Sequence, residues 1–302
     1  MEYYSSKFSV KKNMDFLSKQ IKHSISSEDI NVLKKKGKLQ DIDMYLLKTV
    51  LLKNYLTIKQ IEGYVKLQNK ECDNLKVKVK ALVSYGLLCE ECFSYGVDDE
   101  VKETFHYYRA TKSLVTFLNK ECSFSENEKK DISIYLKSLN MGRRDKIIRI
   151  LEILSRNEFD LKYLNRYKRK TVLSCTNYNM VDKTLPLFYK IKSEHYKAGM
   201  VRVGVISVRN DIGSMKECIQ TLERAAKHIF STENAYPWFV VVCEDERMAR
   251  KFWNEYLKEL VLDNYVRVYF TKDSYIADEN IDVFDNLFVI EGDACIYRKV
   301  EM

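Results

Sequence analysis

The chain has 302 residues, about twice the length of a typical domain, so we expect two domains, with one large domain as the alternative. Its 46% hydrophobic and 31% charged residues are typical of a soluble globular protein. The formal net charge of +8 is compatible with a polyanionic partner but excludes a histone-like excess of basic residues. No run approaches the roughly 18 apolar residues of a membrane span, and the N-terminus lacks the apolar segment of a signal peptide, which predicts a cytoplasmic protein without a membrane partner.

Eight cysteines are scattered along the chain, and Cys89 and Cys92 form its one close pair. In a chain expected to be cytoplasmic, this spacing predicts reduced thiols rather than a disulfide framework. A zinc site would need two more ligands, for which His106 and Cys72 are the candidates. Ordinary strand cysteines are the favoured interpretation, so we predict no metal and no other cofactor.

Residues 1–40 are polar and rich in lysine, with a weak helical periodicity at Phe16, Leu17 and Ile21. This pattern predicts a short helix and an arm. From residue 41 the signals sharpen, because an aspartate at 41 or 43 can cap a helix that carries several apolar residues. Those apolar residues are Leu46, Leu47, Val50, Leu51 and Leu52.

Two further helices are predicted before residue 86. Thr57 and Gln60 have the spacing of a capping box, in which the hydroxyl accepts from the third helical amide and the glutamine reaches back. The next helix begins at Asp73 or Asn74 and ends at Gly86, which can adopt the left-handed conformation of a helix stop. Its apolar stripe is formed by Leu75, Val79, Leu82 and Val83.

Polar residues of this third helix lie mostly off the apolar stripe and are expected to face outward, namely Asn74, Lys76, Lys78 and Lys80. Two β-strands follow, Leu87–Phe93 and Thr104–Arg109, around a tip that contains Asp98, Asp99 and Glu100. Thr111 then caps another helix.

The order of three helices, two strands and a helix, with LTIKQIEGYV as second helix and VKALVSYGLLCEE closing the third, resembles the winged helix-turn-helix superfamily over residues 41–120. In that family the third helix enters the major groove and the hairpin lies along the backbone or the minor groove. The resemblance implies phosphate contacts from the lysines and a contact from Asn74 to a base edge. The candidate DNA-binding residues of this region are Thr57, Lys59, Lys70, Asn74, Lys76, Lys78 and Lys80.

Two observations keep other interpretations open. The lysines could form only a solvated helix face, as most charged runs do. The acidic hairpin tip would be repelled by phosphate, which favours a winged helix that contacts protein as the main rival hypothesis.

The second half begins with helical patterns, and we place the domain boundary between about residues 121 and 142. Arg166, Lys168 and Arg169 flank Tyr167. Such a segment could contact successive phosphates of a nucleic acid while the tyrosine ring stacks on a base. A solvated loop before a strand is the slightly favoured alternative. Two long helices are predicted at Asp211–Phe230 and Glu244–Leu260. Strands are predicted at Thr171–Cys175, Leu187–Ile191, Met200–Val208, Trp238–Cys243, Tyr265–Phe270, Leu287–Ile290 and Cys295–Arg298.

The segments WFVVVCEDERMARKFW and YVRVYFTKDSY, with their helices, are similar to the C-terminal part of the replication-relaxation family of plasmids and integrative elements. The resemblance implies a winged helix followed by a domain like the PD-(D/E)XK nucleases, whose chemistry needs two acids to hold Mg²⁺. Val203, Val205 and Ser207 stand where acids are needed, and Asp182 could supply only the first. We therefore predict no catalytic residues and no enzymatic activity, with a divergent nuclease as an alternative.

The sequence thus predicts an N-terminal helix or arm (1–40), a winged helix-turn-helix domain (41–125), a helical linker (126–170) and an α/β domain with a mixed sheet flanked by helices (171–302). The predicted function is DNA binding in a transcription regulator, or in a replication or conjugation accessory factor of a mobile genetic element. We expect double-stranded DNA as partner, a homodimer, and a possible protein partner at the C-terminal domain.

Overall fold

The computed structural model describes residues 8, 14–17, 25–68, 72–96, 102–167, 187–192, 200–233, 237–258 and 266–300. The protein is a mixed α/β protein with one four-stranded and one six-stranded sheet. It divides into two compact units, an N-terminal unit of Lys11–Asn157 and a C-terminal unit that joins Met1–Val10 to Glu158–Met302. Among the described helices, none is long and apolar enough to cross a membrane.

From residue 41 onward, the N-terminal unit contains the helices and the hairpin in the predicted order, together with a short strand at Tyr55–Leu56 that the sequence pattern did not predict. Its elements are β1 (Asp15–Leu17), α1 (Ser27–Lys35), α2 (Asp41–Lys53), β2 (Tyr55–Leu56), α3 (Ile58–Leu67), α4 (Leu75–Ser84), β3 (Leu88–Gly96), β4 (Lys102–Ala110), α5 (Lys112–Glu121), α6 (Glu126–Ser138) and the first part of α7 (Arg143–Tyr167).

Side-chain caps fix where these helices begin. Ser26, Thr57 and Ser125 each accept a hydrogen bond from the third helical amide, while the third helical side chain accepts from the amide of the cap residue. Thr111 caps α5 by accepting from the amide of Leu114 at 3.2 Å. Each cap satisfies amides that a helix cannot pair internally, so the local sequence determines these boundaries.

The four-stranded sheet has the order β1, β3, β4, β2, and all of its pairs are antiparallel. In β1, Phe16 pairs with Phe93 of β3, and their ring centroids lie 5.1 Å apart. The helix predicted at Phe16, Leu17 and Ile21 is therefore wrong for Phe16 and Leu17, whereas Ile21 lies outside the described residues. A strand forms because β3 offers an unpaired edge and an aromatic ring, neither of which local periodicity can show.

Buried hydrogen bonds connect α7 to the preceding elements of the N-terminal unit. The Gln60 amide donates to the carbonyl of Leu154 at 2.8 Å, and Asn157 Nδ2 donates to the carbonyls of Lys53 and Tyr55 at 3.0 and 2.9 Å. These bonds satisfy backbone carbonyls near the end of α2 and in β2, so they hold α3 and β2 against α7.

The C-terminal unit contains the end of α7 and a six-stranded sheet of order β10, β9, β8, β7, β6, β5. Only the neighbours β6–β7 and β7–β8 are parallel. Its remaining elements are β5 (Leu187–Lys192), β6 (Met200–Ser207), α8 (Ile212–Glu233), β7 (Pro237–Cys243), α9 (Glu246–Phe252) with a π-helical turn (Trp253–Leu257), β8 (Arg267–Lys272), α10 (Asp273–Ala277), a 3₁₀ turn (Val283–Asp285), β9 (Leu287–Glu291) and β10 (Ala294–Arg298).

Both faces of this sheet are covered. Phe239, Val241 and Cys243 of β7 belong to a core with α8 and α9, while Trp238, Val240 and Val242 belong to a core with Phe159 and Tyr163 of α7. A continuous apolar run such as that of β7 is expected for a strand that is buried on both faces. The mixed sheet flanked by helices that the sequence predicts is confirmed for the described residues.

Several boundaries differ from the sequence expectations. The division between the two units falls between Asn157 and Glu158, within α7, because this helix contributes apolar side chains to a core in each unit. Arg166 and Tyr167 belong to α7 rather than to a loop. The strand predicted at Thr171–Cys175 lies outside the described residues, as does the end of the helix predicted to reach Leu260.

Candidate nucleic-acid interface

The α4 helix is held by an apolar stripe and a glycine stop. Leu75, Val79 and Leu82 are buried, as predicted from their spacing. Gly86 has a φ of +73°, its amide donates to the carbonyl of Val83, and the amide of the next residue donates to the carbonyl of Leu82. These two bonds form a Schellman motif, which confirms the predicted helix end.

The outward face of α4 combines two lysines with one apolar side chain. Lys76, Val77 and Lys80 are exposed, and Val77 exposes 64% of its surface. At 100° per residue, Val77 and Lys80 lie opposite the buried stripe, and Lys76 lies at the flank. Val77 is not among the residues that the sequence predicts to contact DNA, although its position off the apolar stripe could have identified it as an exposed residue.

Lys78 does not share this outward face. Its ammonium group lies 3.6 Å from a carboxylate oxygen of Asp43 and donates to Gln40 Oε1 at 3.2 Å, both near the start of α2. Asp43 is almost fully buried and also accepts from the amide of Gln40 at 2.9 Å. The charge of Lys78 is therefore compensated within the unit, and the expectation that it faces outward like Lys76 and Lys80 is corrected.

Asn74 is the N-cap of α4, but it does not use its side chain as a cap. Its φ of 58° and ψ of 38° are left-handed, and its carbonyl accepts from the amides of Val77 and Lys78. Asparagine tolerates this conformation better than most other residues. Its exposed side chain is thereby left at the start of the outward face of α4.

The candidates on α3 differ in their roles. The hydroxyl of Thr57 accepts from the amide of Gln60 at 3.2 Å, so this side chain is engaged in capping. Lys59, in the first turn, is exposed. Lys70 lies outside the described residues.

Arg166 is committed to contacts inside the C-terminal unit. It forms ion pairs with Asp282 and, at 3.3 Å, with Asp285, and its guanidinium lies 5.2 Å from the ring centroid of Phe284. An arginine held by two carboxylates and an aromatic face has its charge largely compensated. Lys168 and Arg169 lie outside the described residues.

The β3–β4 hairpin is long and well anchored at its base. Glu91 of β3 accepts from Arg109 at 2.5 and 2.8 Å and from the Tyr107 hydroxyl at 2.6 Å. Burial raises the pKa of Glu91, but the hydrogen bonds and charge of Arg109 outweigh it, so the net pKa is lowered. The acidic tip at Asp98, Asp99 and Glu100 lies outside the described residues.

The two cysteines of β3 were the candidate metal ligands of the sequence. Cys89 and Cys92 are buried, and burial raises the pKa of the Cys89 thiol to about 11, which disfavours the thiolate that zinc requires. His106 pairs with Cys92 across the strands but its Nδ1 contacts Glu90 at 3.1 Å. Among the residues that the structure describes, no three His, Cys, Asp or Glu side chains are placed to hold one metal ion.

The carboxyl ends of β6, β7 and β8 carry charged side chains that serve the fold. Arg209 and Asp273 form a fully buried ion pair at 2.5 Å, in which Arg209 also donates to Ser207 and to the carbonyl of Phe8. Val203 and Val205 of β6 are buried in the core, and Ser207 accepts from Arg209, so these three positions of β6 carry no carboxylate. Asp182 lies outside the described residues.

The acidic run after β7 has a similar structural role. Asp245 caps α9 by accepting from the amide of Met248 at 2.7 Å, and Glu246 pairs with Lys272 at 2.8 Å. Glu244 accepts from the amide of Asn210 at 2.9 Å. The prediction that this run begins a helix is confirmed.

Comparison with known proteins assigns the chain to no family. No protein-family model matches it, and no curated protein is similar to it in sequence. A solved structure of the restriction endonuclease FokI bound to DNA aligns with 77% of this chain at 15% identity and a TM-score of 0.25. The chain spans 42% of the length of that endonuclease chain, and a similarity of this size assigns neither a fold nor a function.

Proposed function

We propose that the N-terminal unit is a winged helix-turn-helix domain that binds double-stranded DNA through α4, in a transcription regulator or a replication or conjugation accessory factor of a mobile element. The observation that supports this proposal is the exposed face of α4, where Asn74, Lys76, Val77 and Lys80 project from a helix whose opposite face is buried. In a winged helix the third helix is the one that enters the major groove.

Each side chain of this face suits one kind of contact with a duplex. Lys76 and Lys80 are four residues apart, so they lie about 6 Å apart along the helix axis and can contact phosphates without reading sequence. The Asn74 amide can form two hydrogen bonds with adenine, and Val77 can pack against the methyl group of thymine. Affinity would therefore depend on the lysines, and sequence preference on Asn74 and Val77.

The rival function is a winged helix that contacts another protein, and the exposed Val77 is the observation that favours it. An apolar side chain at the centre of an exposed face is also typical of a protein interface. The two functions differ in their dependence on salt, because displacement of counterions from DNA makes binding fall steeply as salt increases.

The first prediction concerns the salt dependence of DNA binding by full-length protein with Lys76 and Lys80 both replaced by alanine. We expect weaker binding to a fluorescent duplex, and a plot of log K against log salt whose slope is less steep by about 2, because two phosphate contacts are lost. Fluorescence anisotropy across a salt series measures both quantities. Replacing Lys78 alone should have a smaller effect, since Asp43 already compensates its charge.

A matched control removes the same charge elsewhere in the N-terminal unit. Lys112 and Lys120 are exposed on α5, and their double replacement by alanine should leave the salt slope nearly unchanged. Equal slopes for the α4 and α5 variants, with intact circular dichroism for both, would reject the assignment of α4 as the DNA-binding element.

A further inference from the structure

β10 forms one edge of the six-stranded sheet, and it is exposed along most of its length. Among the described strands, β9 is the one that pairs with it. Ile296 and Tyr297 expose 37% and 40% of their surfaces, and they are adjacent in the strand. An edge strand with exposed apolar residues is a template for pairing with another strand.

The hairpin between β9 and β10 determines which backbone groups point outward. Glu291 pairs with Ala294 across the loop of Gly292 and Asp293, and Gly292 has a φ of +60°, as expected at the first position of a type II′ turn. A two-residue loop of this kind is closed by a hydrogen-bonded pair, and hydrogen-bonded pairs then alternate along the ladder. The amides and carbonyls of Cys295 and Tyr297 therefore face the outer edge.

The side chains of β10 hold the strand in place without protecting that edge. Cys295 packs against the core beside α8 and α9, and the ring centroid of Tyr297 lies 5.2 Å from that of Phe288. Proline and inward-pointing charges, which commonly protect edges, are absent from the ACIY segment of the strand. The one charged residue of β10, Arg298, pairs with Glu291 of β9.

We propose that β10 pairs antiparallel with β10 of a second copy of this chain, about a two-fold axis at Ile296. In this register Cys295 of each copy forms a hydrogen-bonded pair with Tyr297 of the other, so the outward amides and carbonyls of both residues are satisfied. Ile296 then faces Ile296 of the second copy in a non-hydrogen-bonded pair, where side chains approach most closely. The two six-stranded sheets become continuous.

Charge complementarity supports a second copy in this orientation. The two-fold register brings Lys299 of each copy next to the turn that holds Asp293 of the other, at both ends of the paired strands. A parallel arrangement in register would instead place Asp293 against Asp293, which is unfavourable. Among the described residues, Asp285 is the carboxylate that pairs with Lys299, at 3.9 Å on an exposed surface, and exposed pairs of that kind contribute little.

This pairing involves the C-terminal unit and does not rest on the proposed DNA binding. Failure of one proposal therefore leaves the other standing. A strand pair of five residues is a small interface, so we expect a dimer that dissociates on dilution. Sedimentation velocity of the full-length protein over a concentration series, without DNA, measures its dissociation constant.

The test is a charge exchange. Asp293→Lys and Lys299→Asp should each raise the dimer dissociation constant about tenfold, because each substitution places like charges opposite one another twice per dimer. The double variant D293K/K299D should return to within about threefold of the original protein, since it restores both pairs in reverse. A wild-type protein that is monomeric at every concentration, or a double variant as weak as the singles, would overturn the proposal.

Cross-linking tests the register itself. In Ile296→Cys, the two new cysteines would have Cα atoms about 4.5 Å apart, within the range that a disulfide spans, so mild oxidation should give a covalent dimer. The matched control is Ile212→Cys, since Ile212 of α8 is 60% exposed and lies outside the strand. Cross-linking of the control as rapid as that of Ile296→Cys would count against the pairing.

Discussion

Glu91 shows how a single carboxylate can organise a hairpin. It accepts from Arg109 and Tyr107 of the opposite strand, and both partners are mostly buried. Removing the acceptor would leave an arginine without its counter-charge in a low-dielectric site, which is more costly than the loss of an exposed ion pair. This network lies where β3 leaves the helices, so it determines how rigidly the hairpin is attached.

The second prediction concerns the pH dependence of this network. Because the folded-state pKa of Glu91 is lowered from its ordinary value of 4.5, its stabilisation is present above that pH and is lost as the pH falls through the folded pKa. Glu91→Gln should lower the free energy of unfolding by about 1.5–3 kcal/mol at pH 7. The difference between the two proteins should shrink as the pH falls below about 4.5, which urea unfolding at several pH values can measure; a constant difference would contradict it.

At the scale of elements, caps and stripes account for the helices that surround α4. Thr57 has two candidate roles, because its hydroxyl caps the start of α3 and is also a candidate contact with DNA. Its bond to the amide of Gln60, and the reciprocal bond from its own amide to Gln60 Oε1 at 3.0 Å, assign it a structural role in the unbound protein.

The third prediction separates these roles. Thr57→Ala should lower the free energy of unfolding by about 1 kcal/mol because the cap is lost, while Thr57→Ser should retain most of it. Thermal unfolding followed by circular dichroism measures both. If Thr57 acts only through the helix, DNA affinity below the unfolding transition should be unchanged in both variants. A lower affinity of Thr57→Ala at an unchanged salt slope would show a direct contact instead, because a neutral hydroxyl releases no counterions.

At the scale of the whole molecule, each unit has its own core, and the C-terminal unit contains a fully buried ion pair. Arg209 and Asp273 belong to the C-terminal unit, as do Trp238 and Trp253, which are the two tryptophans of the chain. Tryptophan fluorescence therefore reports directly on the C-terminal unit, whereas circular dichroism reports on helices in both.

The fourth prediction uses this placement. Asp273→Asn leaves the buried Arg209 without its counter-charge, so it should destabilise the C-terminal unit by about 3–5 kcal/mol. In urea, the midpoint seen by tryptophan fluorescence should fall strongly in Asp273→Asn and stay nearly constant in Glu91→Gln, whose substitution lies in the N-terminal unit. Lys227→Ala, which breaks an exposed pair with Glu223, serves as control and should change the midpoint very little. Equal shifts in both variants would indicate that the units unfold together.

Much of the fold could be predicted because the information is local. The Thr57 capping box, the Gly86 stop and the burial of β7 on both faces depend on residues within a few positions of one another, and all three are confirmed. The strand at Phe16 could not be predicted in this way, since its partner at Phe93 lies 77 positions further along the chain, and local periodicity does not contain that pairing.

By itself, the sequence determined most of the described helices and strands from residue 41 onward, the apolar stripe of α4 and the absence of acids in β6, since periodicity, capping and residue type decide these features locally. Only the tertiary structure decided that Lys78 meets Asp43, that Arg166 is held by Asp282 and Asp285, and that β10 lies at an edge. Each of these depends on residues or strands that folding brings together, and the charge that remains exposed on a surface is known only after such pairs have formed.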